Sequence, residues 1–255
     1  MVLIDTHCHL YSEEFEKDID NIINSATREG VKKFYLHGID STVIDKMIAL
    51  ENRFPGKCVA MAGLHPCSVK QNYFEELEIV SGWLKKRPFS AIGEIGLDFY
   101  WDKTFVTEQE EAFRTQIDWS LSYGLPIVIH TRNAMQETIN IVEEYVPKGV
   151  KGIFHCFSGT HDDAEAIIAA GFYLGVGGVV TYKNAGLAEV LTKIGLEHLV
   201  LETDAPYLTP VPYRGKRNES SYLKYVVEKL ATLKNCSIEE VAEITTENAE
   251  KIFAV

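Results

Sequence analysis

Six side chains with metal-binding chemistry, His7, His9, Glu94, His130, His155 and Asp204, are spread along most of the chain, each where a short apolar run ends. Imidazole nitrogens and carboxylate oxygens are donors for divalent cations, and two cations held close together are the apparatus of hydrolases that activate water. His7 and His9 stand at i and i+2 in Asp5-Thr6-His7-Cys8-His9, so a strand sends both imidazoles one way and Cys8 the other. Glu94 lies in Gly93-Glu94-Ile95-Gly96-Leu97-Asp98, where an unpaired carboxylate among small and apolar residues is costly and calls for a cation beside it. Its two oxygens suit it to bridge two metals, while Asp98 is expected to serve the turn or to orient a ligand. His130 closes Pro126-Ile127-Val128-Ile129-His130 and His155 closes Gly152-Ile153-Phe154-His155, so with Glu94 they complete a second metal site. Asp204 ends Leu201-Glu202-Thr203-Asp204, and Glu202, of the same strand parity, is placed to support from behind.

Such scattered donors meet only if the strands that carry them end on one face. Apolar runs read as buried parallel strands at 3–6, 34–38, 59–64, 91–95, 127–129, 152–154, 173–176 and 199–201. Between them lie stretches of helical spacing, such as Phe15, Ile19, Ile22, Ile23 and Ala26, then 108–123 and 134–145. Alternation of this kind predicts an α/β fold, a (β/α)8 TIM barrel forming a single domain over 1–255, whose strand ends converge at one mouth. In a closed barrel the eighth strand adjoins the first, which brings Asp204 to the metal of His7 and His9. A doubly wound open sheet usually has a Gly-rich turn after its first strand; here that turn is His-Cys-His. Extra C-terminal helices are expected at 221–233 and 238–253, the second capped by Ser237 with Glu239 and Glu240 behind it.

The formal net charge of -12 argues against a protein that coats nucleic acid through a broad basic surface. It leaves room for an enzyme acting at strand ends, where bound cations and a basic loop supply local positive potential. No apolar run approaches the ~18 residues of a membrane span and no basic leader precedes Val2, so a cytoplasmic protein is expected. Cys8, Cys58, Cys67, Cys156 and Cys236 form no C-x-x-C pair and read as reduced, packing thiols.

Taken in order, Asp5-Thr6-His7-Cys8-His9, Gly63-Leu64-His65-Pro66, Gly93-Glu94-Ile95-Gly96-Leu97-Asp98, His130-Thr131-Arg132, His155-Cys156-Phe157-Ser158-Gly159 and Glu202-Thr203-Asp204-Ala205-Pro206-Tyr207-Leu208 resemble the TatD family of metal-dependent deoxyribonucleases over nearly the whole chain. The resemblance implies an amidohydrolase-like TIM barrel with two divalent cations that hydrolyses DNA phosphodiesters, often as an exonuclease from the 3′ end. It further implies that His7, His9 and Asp204 hold one ion, His130 and His155 the other, and Glu94 both. One departure stands out: the family's Arg-Asn-Glu-Pro is here Arg217-Asn218-Glu219-Ser220, and loss of that proline is expected to loosen the loop.

On this reading a water activated by two metals attacks phosphorus in line, with Asp204 accepting the proton and Glu94 bridging. His65, at the end of the third run, is a candidate hydrogen-bond donor to a phosphate or leaving oxygen. Arg132 and Arg217, with Lys183, Arg214 and Lys216 near other strand ends, are candidate phosphate contacts. Phe99, Tyr100 and Trp101 are placed to stack on an unpaired base, and Gly177 and Gly178 to cradle a phosphate. Four imidazoles favour zinc, whereas phosphodiester chemistry suits magnesium or manganese. The expected partner is DNA, single-stranded or with frayed ends; no membrane and no protein partner is inferred. The competing activity is two-metal hydrolysis of a carbonyl substrate: an amide, ester, lactone or aminoacyl-tRNA. A noncatalytic scaffold that keeps metals for stability is a second rival, disfavoured by the complete ligand set.

Overall fold

A computed structural model describes residues 1–253. Strands and helices alternate as β1 Leu3–Cys8, α1 Ile19–Arg28, β2 Val31–Leu36, α2 Ile44–Arg53, β3 Cys58–Ala60, α3 Tyr73–Lys86, β4 Ile92–Asp98, α4 Val106–Tyr123, β5 Ile127–Arg132, α5 Met135–Tyr145, β6 Gly152–Phe154, α6 His161–Ala169, β7 Tyr173–Val176, α7 Leu187–Thr192, β8 Leu199–Leu201, α8 Leu223–Lys234 and α9 Ile238–Ile252. All pairings are parallel, in two runs, β1-β2-β3 and β4-β5-β6-β7-β8. Single parallel bridges join the runs at both seams, Ala62 to Ile92 and Cys8 to Ala205. At the second seam His9 N donates to Ala205 O at 2.7 Å and Asp204 N to His7 O at 2.9 Å. The ring therefore closes as a TIM barrel, and the end of β8 is stitched directly to the histidine pair of β1.

The strands have two kinds of surroundings. Outward residues such as Leu3, Phe34, Leu36, Ile129 and Leu174 form the main core with the helices. A smaller cluster inside the ring comprises Ile4, Tyr35, Met61, Ala91, Val128, Ile153 and Val200, covered by Ala249, Ile252 and Phe253 of α9 and its end. That cover lies at the strands' amino ends: Asn248 Nδ2 donates to Leu196 O and Leu199 O, and Thr246 Oγ1 to Val2 O. Ser237 accepts from Glu240 N at 3.1 Å, so α9 opens with the expected cap. With one end plugged by α9, only the carboxyl end is left to hold a site.

Strands β1, β4 and β5 run past the carboxyl ends of their apolar runs. β4 and β5 stay paired through Gly96–His130, Leu97–Thr131 and Asp98–Arg132. Gly96, at φ +139°, makes this possible, because a Cβ there would lie 2.0 Å from His130 O. Glu94 and His130 thus sit on paired strands rather than in loops. β1 carries register irregularities between Leu3 and Ile4 and between Asp5 and Cys8, which re-aim its last residues. Cys8 packs into the outer core while His7 and His9 turn inward, as the alternation predicts. Among the described residues no helix is long and apolar enough to cross a membrane.

Candidate metal centre

Glu94 divides the mouth of the barrel. Its Oε2 faces His7 Nε2 at 3.1 Å and His9 Nε2 at 3.7 Å, and Asp204 Oδ1 lies 3.7 Å and 3.4 Å from the same two nitrogens. Its Oε1 faces His130 Nδ1 at 2.9 Å, His65 Nε2 at 3.3 Å and His155 Nε2 at 3.4 Å. The six residues read from sequence as ligands are therefore together, in two sets that share one carboxylate. Among the described residues no Lys or Arg pairs with Glu94; all its ionic partners are imidazoles. Burial would raise the Glu94 pKa, but His65, His7, His155 and His130 outweigh it and hold the carboxyl well below its usual range.

Hydrogen bonds from elsewhere in the fold fix which ring nitrogens carry protons. Tyr11 spends its hydroxyl proton on His37 O at 2.5 Å, so from His9 Nδ1, at 2.9 Å, it can only accept. His9 Nδ1 must bear a hydrogen, and Nε2 is the nitrogen that faces His7, Glu94 and Asp204. His65 is the reverse case. Its Nδ1 accepts from Cys67 N at 3.0 Å and burial keeps its pKa low, so the proton stands on Nε2 and points at Glu94.

The remaining histidines are backed by carboxylates. His130 Nε2 lies 2.9 Å from Asp98 Oδ2, and Asp98 Oδ1 also accepts from Tyr100 N and Trp101 N. His155 Nδ1 is 3.1 Å from Glu202 Oε1, off hydrogen-bond geometry, and Cys156 N donates to that same oxygen at 2.6 Å. The other Glu202 oxygen is buried without a partner, in space that exists because residue 175 is glycine: a Cβ there would lie 2.3 Å from it. Against burial, the carboxylates of Glu202 and Glu94 push the His155 pKa up to about 10. Burial lowers and Asp98 and Glu94 raise that of His130, with a net rise. His7, squeezed between His37 and His155 with ring centroids 3.7 Å and 3.6 Å away, is driven well below its usual range by burial and by those two rings.

These observations fit a pair of divalent cations. Three overlapping sets, His7–His9–Glu94, His7–His155–Asp204 and His65–Glu94–His130, each bring ligand atoms within 4.8 Å of one another. The carboxylates of Glu94, Asp98, Glu202 and Asp204 gather among these imidazoles with no Lys or Arg paired to Glu94 among the described residues, a donor set suited to divalent cations. Behind these candidate ligands stand Asp98, Glu202 and Tyr11, in the positions of outer partners that would orient metal-binding imidazoles.

Several other residues lie where the sequence did not put them. Arg217, expected at a phosphate, makes a bidentate pair with Asp18 at 2.7 Å and 3.0 Å, donates to Glu14 O, and lies 4.6 Å over Phe15. Its donors are committed to the start of α1. Ser220 does not loosen its loop: it is fully buried and donates to Asp5 Oδ2 at 2.6 Å, while Asn218 Nδ2 holds Thr203 O and Tyr207 O. Of the aromatic trio, Phe99 is core, and only Tyr100 and Trp101 are exposed. Gly178 lies against the loop after β8, where a Cβ would meet Leu208 O at 2.1 Å, so close packing accounts for it. His37, which the sequence motifs do not single out, stands like His130 where an apolar run stops; its Nε2 faces Thr6 O at 2.9 Å and its Nδ1 is buried and unpartnered among the described residues.

Known proteins resemble this chain over its whole length. The uncharacterized metal-dependent hydrolase YabD of Bacillus subtilis is 40% identical, with all of both chains aligned. The 3'-5' ssDNA/RNA exonuclease TatD of Erwinia tasmaniensis is 30% identical over 98% of this chain and 99% of its own. The crystal structure of the TatD homolog YjjV from Escherichia coli K12 superposes with a TM-score of 0.93 at 28% identity, covering 99% of this chain and 98% of that one. A family profile described as TatD related DNase matches residues 4–254. The chain thus belongs to the TatD-related DNase family and is a metal-dependent hydrolase.

Proposed function

We propose that this protein removes nucleotides from the 3′ end of single-stranded DNA by hydrolysing phosphodiester bonds. The observation that carries the proposal is Glu94, whose two oxygens face two separate sets of imidazoles at 2.9–3.7 Å. The 3'-5' ssDNA/RNA exonuclease named among its relatives supplies the substrate class. His7, His9, Asp204 and Glu94 would hold one divalent cation, and His130, His155 and Glu94 a second. Bound there, the ions supply Lewis acidity toward phosphoryl oxygens and make water acidic enough to be deprotonated near neutral pH.

The chain's own groups divide the remaining work. The Asp204 side chain, 15% exposed against 3% for Glu94, opens toward the mouth and is placed to accept a proton from the attacking water. Its backbone, at φ 56°, is left-handed, a conformation Asp tolerates better than most residues, and Asp204 N is tied to His7 O. Neutral His65 presents Nε2–H, a donor for a phosphate oxygen or the departing 3′ oxygen. Glu202 and Asp98 keep His155 and His130 in register. We place the enzyme in the cytoplasm, where its five free cysteines stay reduced.

The test uses metal-stripped protein and end-labelled single-stranded DNA, with magnesium, manganese or zinc restored in turn and Asp204→Asn prepared in parallel. Stepwise release of nucleotides by the metal-restored wild type alone is expected. No release with any metal, from protein shown to bind two ions, rules the proposal out in favour of a carbonyl substrate.

A further inference from the structure

The rim beside His130 carries a cluster that the metal chemistry does not use. Trp101 is 69% exposed and Tyr100 52%, in a chain whose other tryptophans are packed against the core. Leaving an indole in water forgoes one of the larger stabilising contributions a side chain can make, so its position calls for a reason. Tyr100 meets Trp101 edge-on at 4.8 Å, and the Arg132 guanidinium lies 3.8 Å over Tyr100 and 5.2 Å from the Trp101 ring. Arg132 has no carboxylate partner among the described residues, whereas Arg53, Arg87, Arg114 and Arg217 each pair with one. In a protein of net charge -12 this is an open cation held in place by aromatic rings.

The cluster is also bound mechanically to the metal centre. Asp98 is the link, one oxygen on His130 Nε2 and the other on the backbone of Tyr100 and Trp101. Arg132 stands two residues past His130 on β5, so both side chains leave one face of the strand about 7 Å apart. A phosphate at the imidazoles would leave the neighbouring phosphate within reach of the guanidinium and the intervening base near the indole. A base within a duplex has both faces covered by its stacked neighbours, whereas a base at an unpaired end has a face free.

Building on the nuclease reading, we propose that Trp101, Tyr100 and Arg132 form a subsite for one unpaired nucleotide. Trp101 stacks on the base, Tyr100 holds Arg132 in position, and Arg132 takes the phosphate. The subsite selects frayed or single-stranded ends and is tolerant of base identity, because stacking uses the π-face that every base shares.

The experiment is a fluorescence-anisotropy titration of metal-restored enzyme with two fluorescein-labelled six-nucleotide thymidine strands, both phosphorothioate-linked against cleavage. One has all its bases and the other is abasic at its three 3′-terminal positions. Wild type should bind the base-bearing strand at least about fivefold more tightly, the effect of one stacked base. Trp101→Ala should bring that ratio close to one and Trp101→Phe should keep most of it, while Arg132→Ala weakens both strands alike. A wild-type ratio of one, or a ratio that survives Trp101→Ala, overturns the subsite. Release of nucleotides from an unprotected strand, measured on the same preparations, separates the two readings. Wild type that degrades DNA without preferring bases sinks the subsite alone. A base preference without any release leaves the subsite standing and sinks the nuclease.

Discussion

At the scale of single residues, proton placement at this site is set by partners rather than by the ligands themselves. His9 is buried and His65 partly exposed, both beside Glu94, yet Tyr11 puts a hydrogen of one on Nδ1 and the Cys67 amide puts that of the other on Nε2. Glu94 is the residue whose two oxygens face both groups of imidazoles. Glu94→Gln keeps the size but replaces one acceptor oxygen by an NH2 that cannot ligate. Turnover should fall by about three orders of magnitude or more, as when a group acting on the transition state is lost. Bound metal should drop from two ions toward one or none by atomic emission after dialysis. Near wild-type turnover with two ions retained would remove Glu94 from the bridging role.

At the scale of elements, Asp5 joins parts of the barrel that are far apart in sequence. It is fully buried in β1 and accepts from Thr203 N at 3.0 Å, Thr203 Oγ1 at 2.6 Å, Ser220 Oγ at 2.6 Å and more weakly from His7 N at 3.4 Å. These bonds hold the strand of His7 and His9 against the segment that carries Asp204. Burial nevertheless dominates and pushes the Asp5 pKa to about 7, against the pull of Ser220, Thr203 and His7. The native state therefore binds a proton here that the unfolded chain, with its carboxyl near 3.8, has released. This contribution to stability is complete below about pH 4 and is lost as pH rises through about 7. Denaturant titrations of metal-free protein between those limits should show it, and Asp5→Asn should remove that component of the pH dependence. An unchanged pH profile in the variant would mean that Asp5 keeps its charge in the fold.

The elements themselves were largely legible in sequence. Each of the eight expected strands overlaps its apolar run, because parallel strands buried on both faces read as unbroken hydrophobic stretches, though β2 and β3 lie toward the amino-terminal side of theirs. Strand ends were less legible: β4 and β5 continue to Asp98 and Arg132 by pairing with each other, a property of two strands that neither run contains. The tie from Ser220 to Asp5 was equally out of reach, since it spans 215 residues.

At the scale of the whole molecule, 37 acidic against 25 basic residues give a net charge of -12 that repels a polyanion overall. Arg132 and Arg214 are held over Tyr100 and Tyr182, at 3.8 Å and 4.0 Å, without carboxylate partners among the described residues. Two such contacts predict a shallow salt dependence for single-stranded substrate, a slope of log KM on log salt of roughly 1.4 at about 0.7 per phosphate neutralised. Steady-state assays over a range of potassium chloride at fixed divalent metal would measure it. A slope near 5 would reveal a long strand-binding track that the charge distribution does not show.

What the sequence determined by itself was a set of candidate ligands, the strands they terminate and the barrel that gathers them. Those are local patterns: donor chemistry at the end of an apolar run, strand and helix periodicities, and a cap at Ser237. Only the tertiary structure decided which imidazole nitrogen carries a proton, that Asp18 captures Arg217 across 199 residues, and that Phe99 is core while Trp101 stands in water. The physical reason is common to all three. Hydrogen-bond partners and burial depend on which side chains the closed ring brings within a few ångströms, and distance along the chain carries no record of that.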